Sequence, residues 1–107
     1  MLFKPEHKIL ILNGTKIATR RVWKKPMVKV GGIYKCKEKM LSKEYFAKIK
    51  VIRLYKQKLE DMTDEDARKE GYKNMHHFVG VWIKINKDWN DKQIVYVIEF
   101  KLLGDAE

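Results

Sequence analysis

The chain has a single cysteine, Cys36, and no long apolar run. One thiol excludes an internal disulfide and any zinc site built from CxxC pairs, and it is typical of proteins from reducing compartments. No stretch approaches the roughly 20 apolar residues of a membrane-spanning helix. The N-terminus has no signal-peptide pattern, because Glu6, His7 and Lys8 interrupt it. We therefore expect a cytoplasmic protein with no membrane partner.

Acidic residues are scarce in the first half of the chain. Residues 1–60 carry 17 Lys and Arg against four Asp and Glu, whereas residues 61–107 carry seven against ten. A basic half attracts polyanions, because counterions are released on binding. The alternative is a lysine-rich surface that only keeps the protein soluble. Asn, Gln and Cys are also scarce beside abundant Lys, Glu, Ile and Val, which is typical of thermophile proteins.

A length of 107 residues predicts one domain over residues 1–107, and we expect it to be a monomer. Three short helices are predicted within it. The first spans 5–13, from Pro5 to the stop signal Asn13-Gly14. The second follows the N-cap Thr63 and ends at Gly71, and the third follows Asn74. Apolar residues at helical spacing on the third helix are typical of a core stripe; they are Met75, Phe78, Trp82 and Ile85.

Extended segments are predicted around 19–23, 33–37, 45–55 and 94–102. In the third, the alternation of apolar and polar residues changes phase between Val51 and Ile52. A pattern with a period of two that slips by one residue predicts a β-bulge or a strand that turns a corner. In the last segment, Ile94, Tyr96 and Ile98 are predicted to share one face. Small barrels need strands that turn a corner in order to close, and the third segment is predicted to do so. We therefore predict an α+β fold built on a small, closed or partly closed barrel.

The densest polar cluster follows the first helix, over residues 14–21. It combines a glycine at a chain turn with Lys16, Thr19, Arg20 and Arg21. A loop with free backbone N–H groups and nearby cations can hold a phosphate or a carboxylate. It is not a Walker A loop, because the GxxxxGK[ST] spacing is absent. The alternative interpretation is a helix cap followed by an ordinary basic strand.

This cluster resembles the signature G-x-K-x-x-T-x-R of the ASCH family, filled here by Gly14, Lys16, Thr19 and Arg21. The likeness continues in order along nearly the whole chain. It includes Leu2-Phe3-Lys4-Pro5-Glu6, Val30-Gly31, Ala67-Arg68-Lys69-Glu70-Gly71-Tyr72 with Phe78 and Trp82, and Val97-Ile98-Glu99-Phe100. The resemblance implies a PUA-like β-barrel, with the signature loop projecting into a cleft.

The resemblance also implies two functions. ASCH proteins are commonly proposed to bind RNA, and some small bacterial members are amidohydrolases that remove the acetyl group from acetylcytidine. The catalytic Lys, Thr and Glu of those hydrolases fall on Lys16, Thr19 and Glu70. Arg20, Arg21 and the basic first half depart from the small hydrolases and favour a longer polyanion. RNA or a nucleotide is therefore the first expected partner, and hydrolysis of an acetylated nucleoside is the alternative.

Each function assigns roles to the signature loop. For an RNA-binding module, the loop is expected to contact phosphates through the cations Lys16, Arg20, Arg21, Lys24 and Lys25. Trp23 would stack on an unpaired base, or else plug one end of the barrel. The predicted ligand-binding residues are Gly14, Lys16, Thr19, Arg20, Arg21 and Trp23. For the hydrolase, Thr19 would be the nucleophile, Lys16 its base and Glu70 the general acid/base.

We predict no metal and no cofactor. His76 and His77 are helix neighbours that point in different directions, and His7 is far from them in the sequence. Cys36 is predicted to lie in the core, because no partner histidine for a nucleophilic thiol is identifiable.

Overall fold

The computed structural model describes the backbone of residues 1–105 and the side chains of residues 1–103. In that part of the chain, three α-helices flank a four-stranded antiparallel sheet. The helices are α1 (Pro5–Leu12), α2 (Asp64–Lys69) and α3 (Met75–Asn86), and the strands are β1 (Ala18–Arg21), β2 (Ile33–Cys36), β3 (Ala47–Lys58) and β4 (Ile94–Asp105). A short 3₁₀ turn, Leu59–Asp61, follows β3. None of the described helices is long and apolar enough to cross a bilayer.

The sheet has the order β1-β4-β3-β2 and curls into a half-barrel. Its long central pair is β3 with β4, and the register shifts between Val51 and Arg53, so that Ile52 has no partner. This bulge lies where the apolar alternation changes phase, so the bulge predicted from the sequence is confirmed. The predicted small α+β fold is also confirmed.

The sheet is buried on both faces along much of β4. Val95 and Val97 pack with Phe78 and Trp82, whereas Tyr96 and Ile98 belong to a different apolar cluster. Successive residues of a strand point to opposite faces, so the two clusters lie on opposite sides of the sheet. On the face predicted for Ile94, Tyr96 and Ile98, the last two are buried, whereas Ile94 is 51% exposed. Val95 and Val97 on the other face are also fully buried, because helical residues cover that face.

The ends of the helices follow local sequence signals. The Thr63 side chain accepts a hydrogen bond from the backbone N–H of Asp66, and the Asp66 carboxylate accepts one from the Thr63 backbone N–H. This reciprocal capping box begins α2. The side chain of Asn74 accepts from the His77 backbone N–H and begins α3. Gly71 ends the α2 segment with φ +101°, a conformation that residues with a Cβ rarely adopt.

The two glycines beside α2 and within α3 are expected to respond to alanine in opposite directions. Gly71→Ala should lower the free energy of unfolding by about 1–3 kcal/mol, because φ is positive and the new Cβ would lie 2.9 Å from the Leu10 side chain. Gly80→Ala should raise it by up to about 1 kcal/mol, because the site is helical and nothing lies within 4 Å. Urea denaturation of both variants measures the difference. Equal effects of the two substitutions would contradict this account of the turn.

Candidate functional site

A cavity of about 370 Å³ lies along the edge strand β1. One wall comes from the N-terminal segment and the first turn of α1, through Leu2, Phe3, Lys4 and His7. The opposite wall comes from α3, and it is mainly apolar: Phe78, Val81, Trp82, Ile85 and Asn86. Between the walls lie polar groups from β1 and from the segment that follows α2. The cavity therefore lies where elements from the two faces of the sheet meet.

The loop between α1 and β1 is held at both ends by backbone hydrogen bonds. The N–H of Lys16 donates to the carbonyl of Leu10 at 2.9 Å, and the N–H of Ile17 donates to the carbonyl of Lys69 at 2.8 Å. Gly14 permits the preceding turn with φ +82°. These bonds join the C-terminal ends of α1 and α2 through the loop. They bring Lys16 next to Glu70, which is 54 residues away in the sequence.

Lys16 is the most unusual side chain of the site, because it is only 1% exposed. Its Nζ donates to Glu70 Oε1 at 2.8 Å, to the Ala18 carbonyl at 2.9 Å and to the Glu70 carbonyl at 3.2 Å. All three donors of the ammonium therefore have acceptors. Burial lowers the pKa of Lys16 below its ordinary value, and the Glu70 carboxylate only partly offsets this effect.

The Glu70 carboxylate lies between two buried cations. Its Oε1 accepts from Lys16, and its Oε2 accepts from Arg20 Nη1 at 3.0 Å. The Arg20 guanidinium also donates to Gln57 Oε1 at 3.1 Å and 3.0 Å, and it lies 3.6 Å from Asp66. Arg20 is thus paired in the interior, although the sequence predicted a phosphate contact for it. We call Lys16, Glu70 and Arg20 the buried charge chain.

Arg21, the last residue of the signature, lines the cavity from the other side of β1. Its Nη2 donates to the Leu2 carbonyl at 2.6 Å, and its guanidinium lies over the Phe3 ring at 4.9 Å. Burial lowers the pKa of Arg21, and the Glu70 carboxylate opposes the shift. An arginine has five N–H donors, so this one bond leaves others able to meet a ligand in the cavity.

Thr19 lines the same cavity as Lys16 and Arg21 and is 5% exposed. Within the described part of the chain, its hydroxyl has no hydrogen-bond partner, and no side-chain polar atom in those residues is both fully buried and unpaired. The hydroxyl is therefore accessible from the cavity. A free hydroxyl and a lysine of lowered pKa that line one cavity are the groups that nucleophilic catalysis requires.

His7 also lines the cavity, although no pattern in the sequence predicted this position. Its Nε2 lies 2.5 Å from the Tyr72 hydroxyl. Burial, together with the charge of Lys16, lowers the pKa of His7 to about 4, and burial raises the pKa of Tyr72. A neutral imidazole accepts a hydrogen bond from a protonated phenol, so we assign the proton of the His7 ring to Nδ1. The partners are 65 residues apart, and no local pattern connects them.

Two predicted ligand-binding residues lie away from the cavity lining. Gly14 is exposed and shapes the loop, and Trp23 packs against Tyr96 with ring centroids 6.1 Å apart. Cys36 is buried as predicted, and burial raises the pKa of its thiol to about 11. No cluster of three or more histidine, cysteine, aspartate or glutamate side chains that could hold a metal is found among residues with described side chains.

The family model of the ASCH domain matches residues 1–104 of the chain. The chain belongs to the ASCH domain family. The match includes the loop, the edge strand and the Glu70 segment of this ASCH domain, so the whole cavity lies inside the matched region. The resemblance inferred from the signature is therefore confirmed. No match was found among curated proteins.

Three solved structures are similar to this ASCH domain. The ASCH protein of Zymomonas mobilis is 8% identical with a TM-score of 0.70, and the match covers 98% of this chain and 67% of that one. Protein EF3133 of Enterococcus faecalis V583 is 13% identical with a TM-score of 0.69, covering 94% and 68%. The ASCH domain of Lactobacillus crispatus JV V101 is 16% identical with a TM-score of 0.62, covering 89% and 69%. At these identities the likeness concerns the fold, and it confirms the PUA-like α+β architecture.

Replacing the central carboxylate of the buried charge chain is expected to be strongly destabilising. Glu70→Gln removes the negative charge between Lys16 and Arg20, which leaves two buried cations without their shared partner. Breaking a buried pair in this way costs about 3–5 kcal/mol. The free energy of unfolding from urea titration measures it.

Glu60→Gln is the matched control, because Glu60 pairs with Lys92 at 2.9 Å on the surface. Water screens exposed pairs, so this substitution is expected to change the free energy of unfolding little. If Glu70→Gln and Glu60→Gln destabilise the protein equally, the buried charge chain is not a structural unit.

His7 is expected to make stability depend on pH. Its pKa is about 4 in the folded chain and 6.5 ordinarily, so between these values only the unfolded chain takes up the proton. Stability should therefore fall as the pH drops from 6.5 towards 4, and His7→Gln should reduce this fall. Unfolding free energies at roughly pH 7 and pH 5 provide the measurement. His76→Gln is the control, since His76 is exposed; identical pH dependence in all three proteins would refute the assignment.

Proposed function

We propose that this ASCH domain binds one nucleoside or nucleotide in the cavity and hydrolyses an amide on its base. One observation carries the proposal: the buried amine of Lys16 lines the same cavity as the hydroxyl of Thr19, which has no hydrogen-bond partner among the described side chains and backbone. An amine whose pKa is lowered by burial can accept a proton, and a free hydroxyl can then attack a carbonyl carbon. The substrate class is an acylated nucleoside such as acetylcytidine.

The shape of the cavity supports a ligand of this size. Its volume of about 370 Å³ lies near the lower end of the range for small-molecule sites. The wall from α3 offers Trp82 and Phe78, whose rings are suited to contact a planar base. The opposite wall offers the His7–Tyr72 pair, which supplies a neutral donor and acceptor for the edge of the base. A flat heterocycle with polar edges matches both walls.

The reaction follows as two acyl transfers. Thr19 Oγ forms a bond with the acyl carbon while its proton passes to Lys16 Nζ. The carbon–nitrogen bond then breaks, and the departing exocyclic nitrogen takes the proton from Lys16. Water attacks the resulting Thr19 ester and gives its proton to Lys16, which returns it to Thr19 as the carboxylic acid leaves. Arg21 has N–H groups that stabilise the oxyanion formed in each step.

The geometry favours a positioning role for Glu70 over the general acid/base role implied by the resemblance. Both of its oxygens are occupied, one by Lys16 and the other by Arg20. A carboxylate held in this way fixes the amine of Lys16 beside the cavity. In this mechanism, Lys16 therefore carries the proton in both directions, and Arg20 holds Glu70 in place.

Binding of a nucleotide or of RNA without hydrolysis is the second candidate, and Arg21 favours it. The guanidinium has unused donors at the cavity, and arginine matches the geometry of a phosphate. Lys16 and Arg20 contribute less to such a site than the sequence predicted, because both are paired with Glu70. A nucleotide would then place its phosphate at Arg21 and its base against α3.

Hydrolysis is tested by following the loss of the acetyl group from acetylcytidine. Thr19→Val and Lys16→Met should each lower turnover at least about 100-fold, because they remove the nucleophile and its base. In the unaltered protein, turnover should rise with pH as Lys16 loses its proton, with a midpoint below the ordinary value of 10.5.

Thr15→Val is the matched control, since Thr15 is an exposed threonine of the same loop. Equal turnover in Thr19→Val and Thr15→Val would rule out the covalent mechanism. If the unaltered protein shows no turnover but binds cytidine monophosphate, and Arg21→Gln weakens that binding, the second candidate is the better account.

A further inference from the structure

One part of the sheet is left bare by the helices and is lined with lysine. Along β4, Val95 and Val97 lie under the cluster that contains residues of α2 and α3, and Lys101 continues the same face. Four exposed lysines share this face across three strands: Lys35 on β2, Lys48 and Lys50 on β3, and Lys101 on β4. We call these four residues the lysine face. None of them lines the cavity at β1.

The register sets these lysines directly opposite one another. Lys35 pairs with Lys48 across β2 and β3, and Lys50 pairs with Lys101 across β3 and β4. Side chains directly opposite in an antiparallel pair are about 4.5–5.5 Å apart at Cβ, and like charges in these positions repel each other. A sheet face that only had to remain soluble could alternate the signs of its charges. Two adjacent like-charged pairs therefore indicate a surface suited to a polyanion.

No described carboxylate neutralises the lysine face. Among residues 1–103, none of its four ammonium groups forms an ion pair. The acid closest along β4 is Glu99, which is paired with Arg53 at 3.3 Å and with Lys69 at 3.9 Å. With respect to the side chains of residues 1–103, the positive charge of this face is thus left for solvent or for a ligand.

Apolar and aromatic groups lie among these charges. The ammonium groups of Lys35 and Lys48 lie 4.9 Å and 5.7 Å from the centroid of the Tyr45 ring. Ile33, which lies opposite Lys50, is 59% exposed. Proteins that bind single-stranded nucleic acid combine cations for the backbone with rings and apolar surface for the bases.

We propose that the lysine face binds single-stranded nucleic acid, with the lysines on backbone phosphates and Tyr45 against a base. The occupant is inferred from charge complementarity, since phosphates would neutralise the opposed lysine pairs. The site is separate from the cavity, so it does not depend on the nucleoside chemistry proposed there. Binding at this face is expected without sequence preference, because the lysines contact only the backbone.

The test is the salt dependence of RNA binding. The probe is a fluorescent oligouridine of about 12 nucleotides, within the site sizes of single-strand binders. The association constant is measured by anisotropy between about 50 and 200 mM salt for the unaltered chain and for Lys48→Ala/Lys50→Ala. Each lost phosphate contact reduces the slope of log affinity against log salt by about 0.7, so the double variant should have a slope shallower by about 1.4.

The control is Lys73→Ala/Lys84→Ala, which removes the same charge from exposed positions elsewhere. Its slope should match that of the unaltered chain. An equal reduction of this slope in the two double variants would overturn the proposal, because net charge alone would then explain binding. The proposal would also be overturned if the unaltered chain failed to bind RNA at low salt, even if it bound anionic lipid vesicles. Lys48→Ala/Lys50→Ala should hydrolyse acetylcytidine as fast as the unaltered chain, which separates this site from the cavity.

Discussion

The Glu70 carboxylate, held between the ammonium of Lys16 and the guanidinium of Arg20, is the interaction on which the rest of the site depends. Burying ions costs several kcal/mol each unless their partners and hydrogen bonds are complete. Here the loop, β1 and the end of α2 must all be in place before the three groups can meet. The same contacts that stabilise the charges therefore also fix the backbone that lines the cavity.

Burial is the main cause of the lowered pKa of Lys16, because it disfavours the charged form. The Glu70 carboxylate stabilises the ammonium and opposes this shift, although Glu70 also accepts from Arg20. The positive charges of Arg21 and Arg20 add to the effect of burial. The end of α2, the turn at Gly14 and Arg20 on β1 thus combine to make Lys16 able to exchange a proton. The four lysines of the lysine face, by contrast, are exposed to solvent.

Local patterns predicted much of this molecule, and long-range pairing accounts for the rest. The caps at Thr63 and Asn74, the stop at Gly71 and the bulge near Ile52 all depend on near neighbours, and the sequence indicated each of them. The signature also indicated Lys16, Thr19 and Arg21. The inward direction of Arg20 could not be predicted, because its partners are 37 and 50 residues away. Likewise, His7 reaches the cavity only through a fold that sets it beside Tyr72, and the lysine pairs exist only once the register of three strands is known.

The central claim is that Lys16 is a buried amine whose proton is held weakly, and an NMR titration of its side chain tests this most directly. With selective isotope labelling of lysine, the Nζ and Cε resonances of Lys16 are followed with pH and assigned by comparison with Lys16→Met. The account predicts a pKa below the ordinary lysine value of 10.5. A Lys16 pKa at or above 10.5 would contradict the account, because the Glu70 carboxylate would then outweigh burial and leave Lys16 a permanently charged clamp.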